Sequence, residues 1–244
     1  MRYLVISDVH SNLAAFEAVL ADVGSFDKVW CLGDMVGYGP DPNECVERLR
    51  DLPHVCVVGN HDWAALGKMG TEDFNPDAKQ ACLWTSEQLS PLNLEYLKAL
   101  PKSFVKEGFT LVHGSPRHPI WEYVLSPAIA KANFEYFDTR FCFVGHTHVP
   151  VIYRYNPENP NEACDTLMPP LNDPLVLGED RLIINPGSVG QPRDGDPRAS
   201  YAILDSDELT LKYRRIPYPI EITQSRMMDK GLPLRLIIRL GYGW

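Results

Sequence analysis

The sequence predicts an α/β protein: a four-layer α/β/β/α sandwich, two packed mixed sheets between helices, with a metal site at the strand ends. Three observations predict it. In the first half, short apolar runs alternate with segments of helical period, which favours a buried sheet covered by helices. In the second half the runs follow one another through short links with few helices, which favours a second, mostly antiparallel sheet packed on the first. Five of the runs end in a cluster drawn from Asp, Asn, His and Gly.

The strand candidates, rich in Val, Ile, Phe and Tyr, are 3–6, 28–32, 55–58, 109–113, 141–144, 151–155, 181–184, 201–204 and 209–215. Helical spacing covers 12–23, where Leu13, Phe16, Val19 and Leu20 share a face behind a Ser11/Asn12 cap. A second helix, 42–50, follows an Asp41 cap with Pro42 at its first position. Residues 75–89, 92–100 and 127–137 also read as helices, and 156–180, rich in Pro, Asn, Asp and Glu, as a loop. After Tyr218 the chain reads as a helical tail, 217–244, broken near Gly231 and Pro233. A chain of 244 residues with no internal repeat reads as one domain, 1–244.

Apolar residues make up 45% and charged residues 23%, the profile of a soluble globular protein. No apolar run approaches the roughly 18 residues of a membrane-spanning helix, and the first apolar run is too short for an export signal. The net charge of −9 repels long polyanions, so no stable nucleic-acid complex is expected. Six cysteines, at 31, 45, 56, 82, 142 and 164, form neither a C-x-x-C pair nor a disulfide framework. Cys31 and Cys142 sit in apolar runs as small hydrophobes, and reduced thiols without an export signal point to the cytoplasm. The sequence leaves oligomeric state open.

The five clusters are Asp8-Val9-His10, Gly33-Asp34, Gly59-Asn60-His61-Asp62, His113-Gly114 and Gly145-His146-Thr147-His148. Each follows a strand candidate, and the carboxyl ends of strands are where α/β sheets bind ligands. Asp, Asn and His supply the oxygen and imidazole donors that divalent first-row metals accept, and no cysteine joins them. On an extended chain, D-x-H and H-x-H turn both side chains to one face. Of seven histidines only His54 and His118 lie outside the clusters. Singly each cluster has a bland reading: a capped loop for His10, a turn for Asp34, a half-buried strand pair for His146 and His148. All five in this order point to one metal-binding place.

That order resembles the calcineurin-like metallophosphoesterases, over residues 8–148 for the motifs and to about residue 216 for the strands. The resemblance implies that Asp8, His10 and His148 hold one metal, that Asn60, His113 and His146 hold the other, and that Asp34 bridges them. It implies two divalent ions, Mn, Fe or Zn, with His61 as a catalytic residue beside them. Such a pair clamps a phosphoryl group and activates a bridging water, whose hydroxide attacks phosphorus in line. A protonated His61 can then donate to the leaving oxygen. The sequence departs from the serine/threonine protein phosphatases of this superfamily, where the G-D motif continues into a second Asp and an Arg. Here Gly37 and Tyr38 stand in their places, which leaves Asp62 or Asp41 as candidate partners for His61.

The segment Asn185-Pro186-Gly187-Ser188 resembles that of the smaller prokaryotic phosphoesterases and otherwise reads as a tight turn. Arg193, just beyond it, either meets a phosphate in place of the missing arginine or pairs with Asp194 or Asp196. Asn12 either reaches the phosphate or serves only as the helix cap. Tyr38, Trp63, His118 and Trp121 lie in loops after the motif strands, either rimming the site or packing beneath it. The expected activity is hydrolysis of a small phosphorylated substrate, a phosphodiester or a nucleotide or dinucleoside polyphosphate. The alternatives are a phosphomonoesterase, a protein phosphatase, or a catalytically silent scaffold of the same fold.

Overall fold

The structure, a computed structural model, describes residues 1–156 and 164–244. The chain begins β1 (Arg2–Ile6), α1 (Leu13–Asp22), β2 (Lys28–Cys31), α2 (Pro42–Arg50), β3 (His54–Cys56), α3 (Asn60–Ala65). It continues α4 (Pro76–Gln88), α5 (Pro91–Ala99), β4 (Ser103–Lys106), β5 (Phe109–Val112) and α6 (Pro127–Asn133), the last followed by a 3-10 turn over Phe134–Tyr136. Then come β6 (Phe141–Phe143), β7 (Val151–Arg154), β8 (Asp165–Leu167), β9 (Pro174–Val176) and β10 (Leu182–Asn185). The chain ends with β11 (Ala199–Asp205), β12 (Thr210–Ile216), α7 (Ile220–Asp229) and α8 (Leu234–Arg239).

Two six-stranded sheets result, ordered β3-β2-β1-β11-β12-β9 and β4-β5-β6-β10-β7-β8. Both are mixed. In the first, β1, β2 and β3 run parallel, and β11, β12 and β9 continue antiparallel. In the second, β5, β6 and β10 run parallel, flanked by antiparallel β4 on one side and β7 and β8 on the other. The expectation that the late strands all join the second sheet is corrected for two of them. β11 and β12 return to the first sheet beside β1, because nothing in a strand's own apolar pattern records which sheet it joins.

The period-two alternation of strand side chains builds the layers. Tyr3 and Val5 of β1, with Trp30 and Leu32, point between the sheets onto Phe109, Leu111, Phe141, Phe143 and Ile184. Leu4 and Ile6 point the other way, onto Phe16 and Val19 of α1 and Val46 and Leu49 of α2. On the far side Cys142, Val144 and Ile183 pack under Ala130 and Phe134. The order is helices, sheet, sheet, helix.

Four elements are additions to the sequence reading. β4 is an edge strand of alternating exposure, and β8 and β9 are three-residue, partly exposed strands inside the expected 156–180 loop, too short to signal themselves. Residues 157–163 of that loop lie outside the described residues. The fourth is α3, which begins within the Gly59-Asn60-His61-Asp62 cluster. Asp41 makes no side-chain cap on α2 and instead pairs with Arg226 of α7. The tail breaks between α7 and α8 at 230–233, and α8 packs Leu236, Ile237 and Leu240 with Tyr38 and with Ala78 and Ala81 of α4. Among the described residues no helix is long and apolar enough to cross a membrane.

Candidate metal centre

The parallel strands of both sheets deliver the five clusters. Asp8 and His10 follow β1, Asp34 follows β2, Asn60 follows β3, His113 follows β5, and His146 and His148 follow β6. All seven side chains are buried and meet at one place. The chain there is not extended: Asp8, His10, Asp34, His146 and His148 all have φ between 49° and 65°. The same-face argument from strand period is thus corrected. Left-handed kinks, costly for non-glycine residues, turn each side chain inward, and strain of this kind gathers at functional sites.

Four histidines are clamped from behind. His10 Nδ1 lies 3.1 Å from Val36 O, His113 Nδ1 2.8 Å from Leu32 O, His146 Nε2 3.0 Å from Trp121 O and His148 Nδ1 2.6 Å from Gln191 O. A ring nitrogen facing a carbonyl donates its proton, so the opposite nitrogen turns inward as a potential ligand. Those inner nitrogens crowd one another. His10 Nε2 is 3.2 Å from His148 Nε2, and His113 Nε2 is 3.1 Å from His146 Nδ1 and 2.9 Å from Asn60 Oδ1. Asp8 Oδ1 lies 3.3 Å from His148 Nε2. Asp34 Oδ2 lies between the two groups, 3.6 Å from His10 Nε2 and 3.3 Å from His113 Nε2, and is buried without a hydrogen-bond partner. An orphaned buried carboxylate oxygen facing converging imidazoles calls for a cation. The donor set fits a divalent first-row metal.

The charges agree. Burial pushes His10, His146 and His148 well below the ordinary imidazole range, keeping them neutral as ligands must be. Burial opposes the Asp34 charge too, but the rings of His113, His61 and His10 overcome it and hold Asp34 below the usual carboxylate range. For His113 burial disfavours a proton, yet Asp34 and Asp8 outweigh it and lift the ring to about 9. A cation among these carboxylates would displace that proton.

Asn60 and His61 are the first two residues of α3, so the expectation that they point apart on an extended chain is corrected. Helical neighbours diverge by about 100° instead. The cluster's last residue, Asp62, binds the site's frame: its carboxylate accepts from the backbone N–H of Asp34 (3.0 Å), Val36 (3.2 Å) and Gly59 (2.9 Å). Gly59 is required there, since a Cβ would stand 2.0 Å from Asp34 Oδ1. The Asn185–Ser188 turn has a similar task. Asn185 Nδ2 donates to Gly145 O at 2.8 Å and Ser188 Oγ to Asp8 O at 2.8 Å, tying two ligand loops together.

Neither carboxylate expected beside His61 is there, because Asp62 is taken by the backbone and Asp41 by Arg226. His61 Nδ1 instead lies 3.1 Å from the buried Sγ of Cys82 on α4. Gly37, at φ 90°, packs against the same nitrogen, and a Cβ there would come within 2.7 Å of it. A ring nitrogen of His61 lies within 4.8 Å of ligand atoms of His10 and Asp34. Burial, with Arg193 and His113 adding to it against Asp34, pulls His61 down to about 4.

Tyr38 is buried, its ring 4.6 Å from His10 and 4.3 Å from His61, and its hydroxyl accepts from Arg193 Nη2 at 3.3 Å. Asp194 pairs with Arg215 and Asp196 with Arg198, leaving Arg193 to Tyr38, Gln191 and Tyr123. Asn12 has its hydrogen-bonding capacity filled. Oδ1 accepts from Ala15 N and Thr223 Oγ1, and Nδ2 donates to Gly190 O and Tyr218 OH, so no donor remains for a phosphate. Trp121 stacks on Phe74, which lies 4.8 Å from His61, while Trp63 packs under Lys102 and His118 is exposed. Sequence reasoning missed Cys82, Phe74 and Tyr123, whose ring stacks on His146 at 3.8 Å. None lies near a motif in sequence.

Residues 1–209 match the calcineurin-like phosphoesterase superfamily domain. An uncharacterised protein of Methanocaldococcus jannaschii is 41% identical, covering 98% of this chain and 97% of its own. The crystal structure of a metallophosphoesterase from Sphaerobacter thermophilus superposes with a TM-score of 0.91 at 50% identity, covering 100% of this chain and 99% of that one. A symmetrical bis(5'-nucleosyl)-tetraphosphatase of Pseudomonas putida is 29% identical over 105 residues, 36% of either chain.

Proposed function

Because the chain belongs to the calcineurin-like phosphoesterase superfamily and is a metal-dependent phosphoesterase, we propose that it uses two divalent cations to hydrolyse a phosphodiester or phosphoanhydride of a small nucleotide-like substrate. The observation that carries the two-cation reading is the orphaned Asp34 Oδ2 between two separate sets of inward nitrogens. Asp8, His10 and His148 would hold one ion, Asn60, His113 and His146 the other, with Asp34 shared. When bound, such a pair activates the attacking water and polarises the phosphoryl group.

The chain's own residues do the rest. Arg193, free of its neighbouring acids and held by Tyr38, takes the phosphoryl oxygens in place of the missing motif arginine. His61, its Nδ1 fixed by the Cys82 thiol, offers its other nitrogen to the leaving oxygen. Burial holds free His61 neutral, and the charge of an arriving phosphate would raise its proton affinity. The diester or anhydride reading is favoured over a protein phosphatase by the buried Tyr38 and by Gly37, which leave no acid at His61. The Pseudomonas tetraphosphatase supports the dinucleotide arm.

The test is metal analysis beside a substrate panel. Protein loaded in turn with Mn, Fe and Zn should carry two ions per chain and turn over bis(4-nitrophenyl) phosphate and a dinucleoside tetraphosphate faster than phosphoserine peptides. One ion per chain at full activity would refute the shared-Asp34 arrangement. No turnover of any substrate by loaded protein would favour the silent scaffold.

A further inference from the structure

Three of the four clamped histidines are backed by carbonyls close in sequence to a motif or to the Asn185–Ser188 turn: Val36 for His10, Leu32 for His113 and Gln191 for His148. His146 differs. Its clamp, Trp121 O at 3.0 Å, belongs to a loop that leaves β5 at His113 and has no helix or strand of its own before α6. Its ring is also reversed. The other three give Nδ1 to their carbonyl and turn Nε2 inward, whereas His146 gives Nε2 and turns Nδ1 inward, 3.1 Å from His113 Nε2. No helix or sheet ladder fixes Trp121 O, so other contacts have to hold it.

The loop first folds back on its root. Gly114 N donates to Pro119 O at 2.7 Å and Ser115 N to His118 O at 3.2 Å, and a Cβ on Gly114 would stand 2.9 Å from Trp121 N. One carboxylate, that of Glu122, then ties the folded loop together. It accepts from Ser115 Oγ at 2.6 Å, from Arg117 Nε at 3.3 Å and Arg117 Nη2, and from Asn133 Nδ2 of α6 at 2.9 Å. Asn133 is buried, and its Oδ1 accepts from Arg117 N at 3.0 Å, which closes the ring of contacts. Burial opposes the Glu122 charge, but Arg117, Ser115 and Asn133 outweigh it and bring the carboxyl down to about 2. Charge-assisted bonds of this kind hold a side chain firmly. The chain neighbours of Glu122 are the two residues that touch His146: Trp121 through its main-chain oxygen, and Tyr123 through a ring stacked at 3.8 Å with 27° between the planes.

We propose that Glu122 is a positioning residue of the metal centre, fixing the ring and tautomer of His146 through Trp121 and Tyr123 and so setting the affinity of one ion separately from the other. The proposal rests on the two-cation reading above and adds to it a means of tuning one ion alone. The separation follows from placement. The contacts of Glu122 just described stay within this loop and α6, while the carbonyls behind His10 and His148 lie on the loops after β2 and β10.

Two measurements test it, neither of them turnover. In zinc-loaded protein, nitrogen NMR of the imidazoles distinguishes His146, protonated at Nε2, from His10, His113 and His148, protonated at Nδ1. In Glu122→Ala the His146 N–H should exchange with water about tenfold faster or more, with those of His10 and His148 unchanged. Calorimetric titration of metal-free protein with zinc should show one of the two ions weakened about 10–100-fold and the other unchanged. Glu122→Gln, which keeps an acceptor oxygen for Ser115 and Asn133, should show the same changes at smaller size, and it decides the matter where the alanine variant does not fold. Unchanged exchange at His146 overturns the proposal. Equal weakening of both ions overturns it too, since that marks a general loosening and not a positioning role. Native protein that takes up a single ion overturns the two-cation reading instead, and exchange at His146 then decides the role of Glu122 by itself.

Discussion

The floor of the site and its wall are assembled by different means. Every side chain proposed as a metal ligand lies one to five residues beyond a strand, from His113 directly after Val112 to His148 five past Phe143. The four histidines are held by backbone carbonyls behind them, and the backbone that carries Asp34 is held by N–H groups gathered on Asp62. The wall that would face a substrate comes instead from separate parts of the chain. Tyr38 is in a loop, Phe74 and Cys82 are before and on α4, and Arg193 follows the Asn185 turn. These meet through side chains. A floor set by backbone tolerates little variation, while a wall set by side-chain contact can change substrate without rebuilding the metal centre.

If that contrast holds, damage to the floor should abolish function and damage to the wall should grade it. The largest effect is expected at Asp34. Asp34→Asn keeps the shape but removes the charge shared between the two nitrogen sets. Activity should fall by more than the roughly 10–100-fold that follows loss of an outer-shell metal partner. Elemental analysis should find fewer than two ions per chain. Two retained ions with near-native turnover would put Asp34 outside the floor altogether.

Next comes His61, which stands against the floor but acts on the substrate. His61→Gln should keep its metals and lose about 10²–10⁴-fold on alkyl phosphodiesters, the usual worth of a general acid. It should lose much less on nitrophenyl esters, whose leaving group needs no proton. Loss of a metal would move His61 into the floor, which its position near ligand atoms of His10 and Asp34 makes a real alternative. An equal loss across leaving groups would leave it a positioning residue.

The same division explains what the sequence could tell. The layers were legible because Tyr3 and Val5 alternate with Leu4 and Ile6 over so short a span that each sheet face can be read directly. The clusters were legible for a related reason, since each depends on spacing within four residues. The local geometry was not: D-x-H and H-x-H looked extended, but left-handed φ angles are imposed by tertiary contacts such as Gly190 N donating to Asp8 O at 3.0 Å. The partner of His61 was likewise hidden. A search near the motif finds Asp62 and Asp41, whereas the contact comes from Cys82, 21 residues on, carried there by α4. β11 and β12 joined the first sheet because of a pairing with β1 that spans the chain, Arg2 opposite Asp205.

Arg193 is the first pure test of the wall. Arg193→Ala should leave metal content unchanged and lower kcat/KM by about 2 kcal/mol, roughly 30-fold, as for a charged hydrogen bond to a phosphoryl group. Lysine should restore only part of it, because a point charge cannot replace the planar fork. Unchanged kinetics would return Arg193 to a structural tie between Tyr38 and Gln191.

The smallest expected effect falls on Cys82, and it asks whether the wall's contacts act in series. Cys82 is buried, and burial pushes its thiol well above the ordinary thiol range, so it meets His61 Nδ1 as a neutral S–H. A thiol is a weak donor, and a neutral hydrogen bond is worth about 0.5–1.5 kcal/mol, which sets the loss in Cys82→Ala at roughly two- to tenfold. Because the thiol reaches the substrate only through the imidazole, the loss should be larger on alkyl than on nitrophenyl esters, copying His61→Gln in miniature. Cys82→Ser, which keeps a donor in place, should recover most of it. The decisive comparison is the double variant. In a His61→Gln background Cys82→Ala should cost nothing further, since the group it orients is gone. A full additional loss there would mean that Cys82 supports the packing of α4 against the site and not the histidine, and the place vacated at Gly37 would then have no substitute.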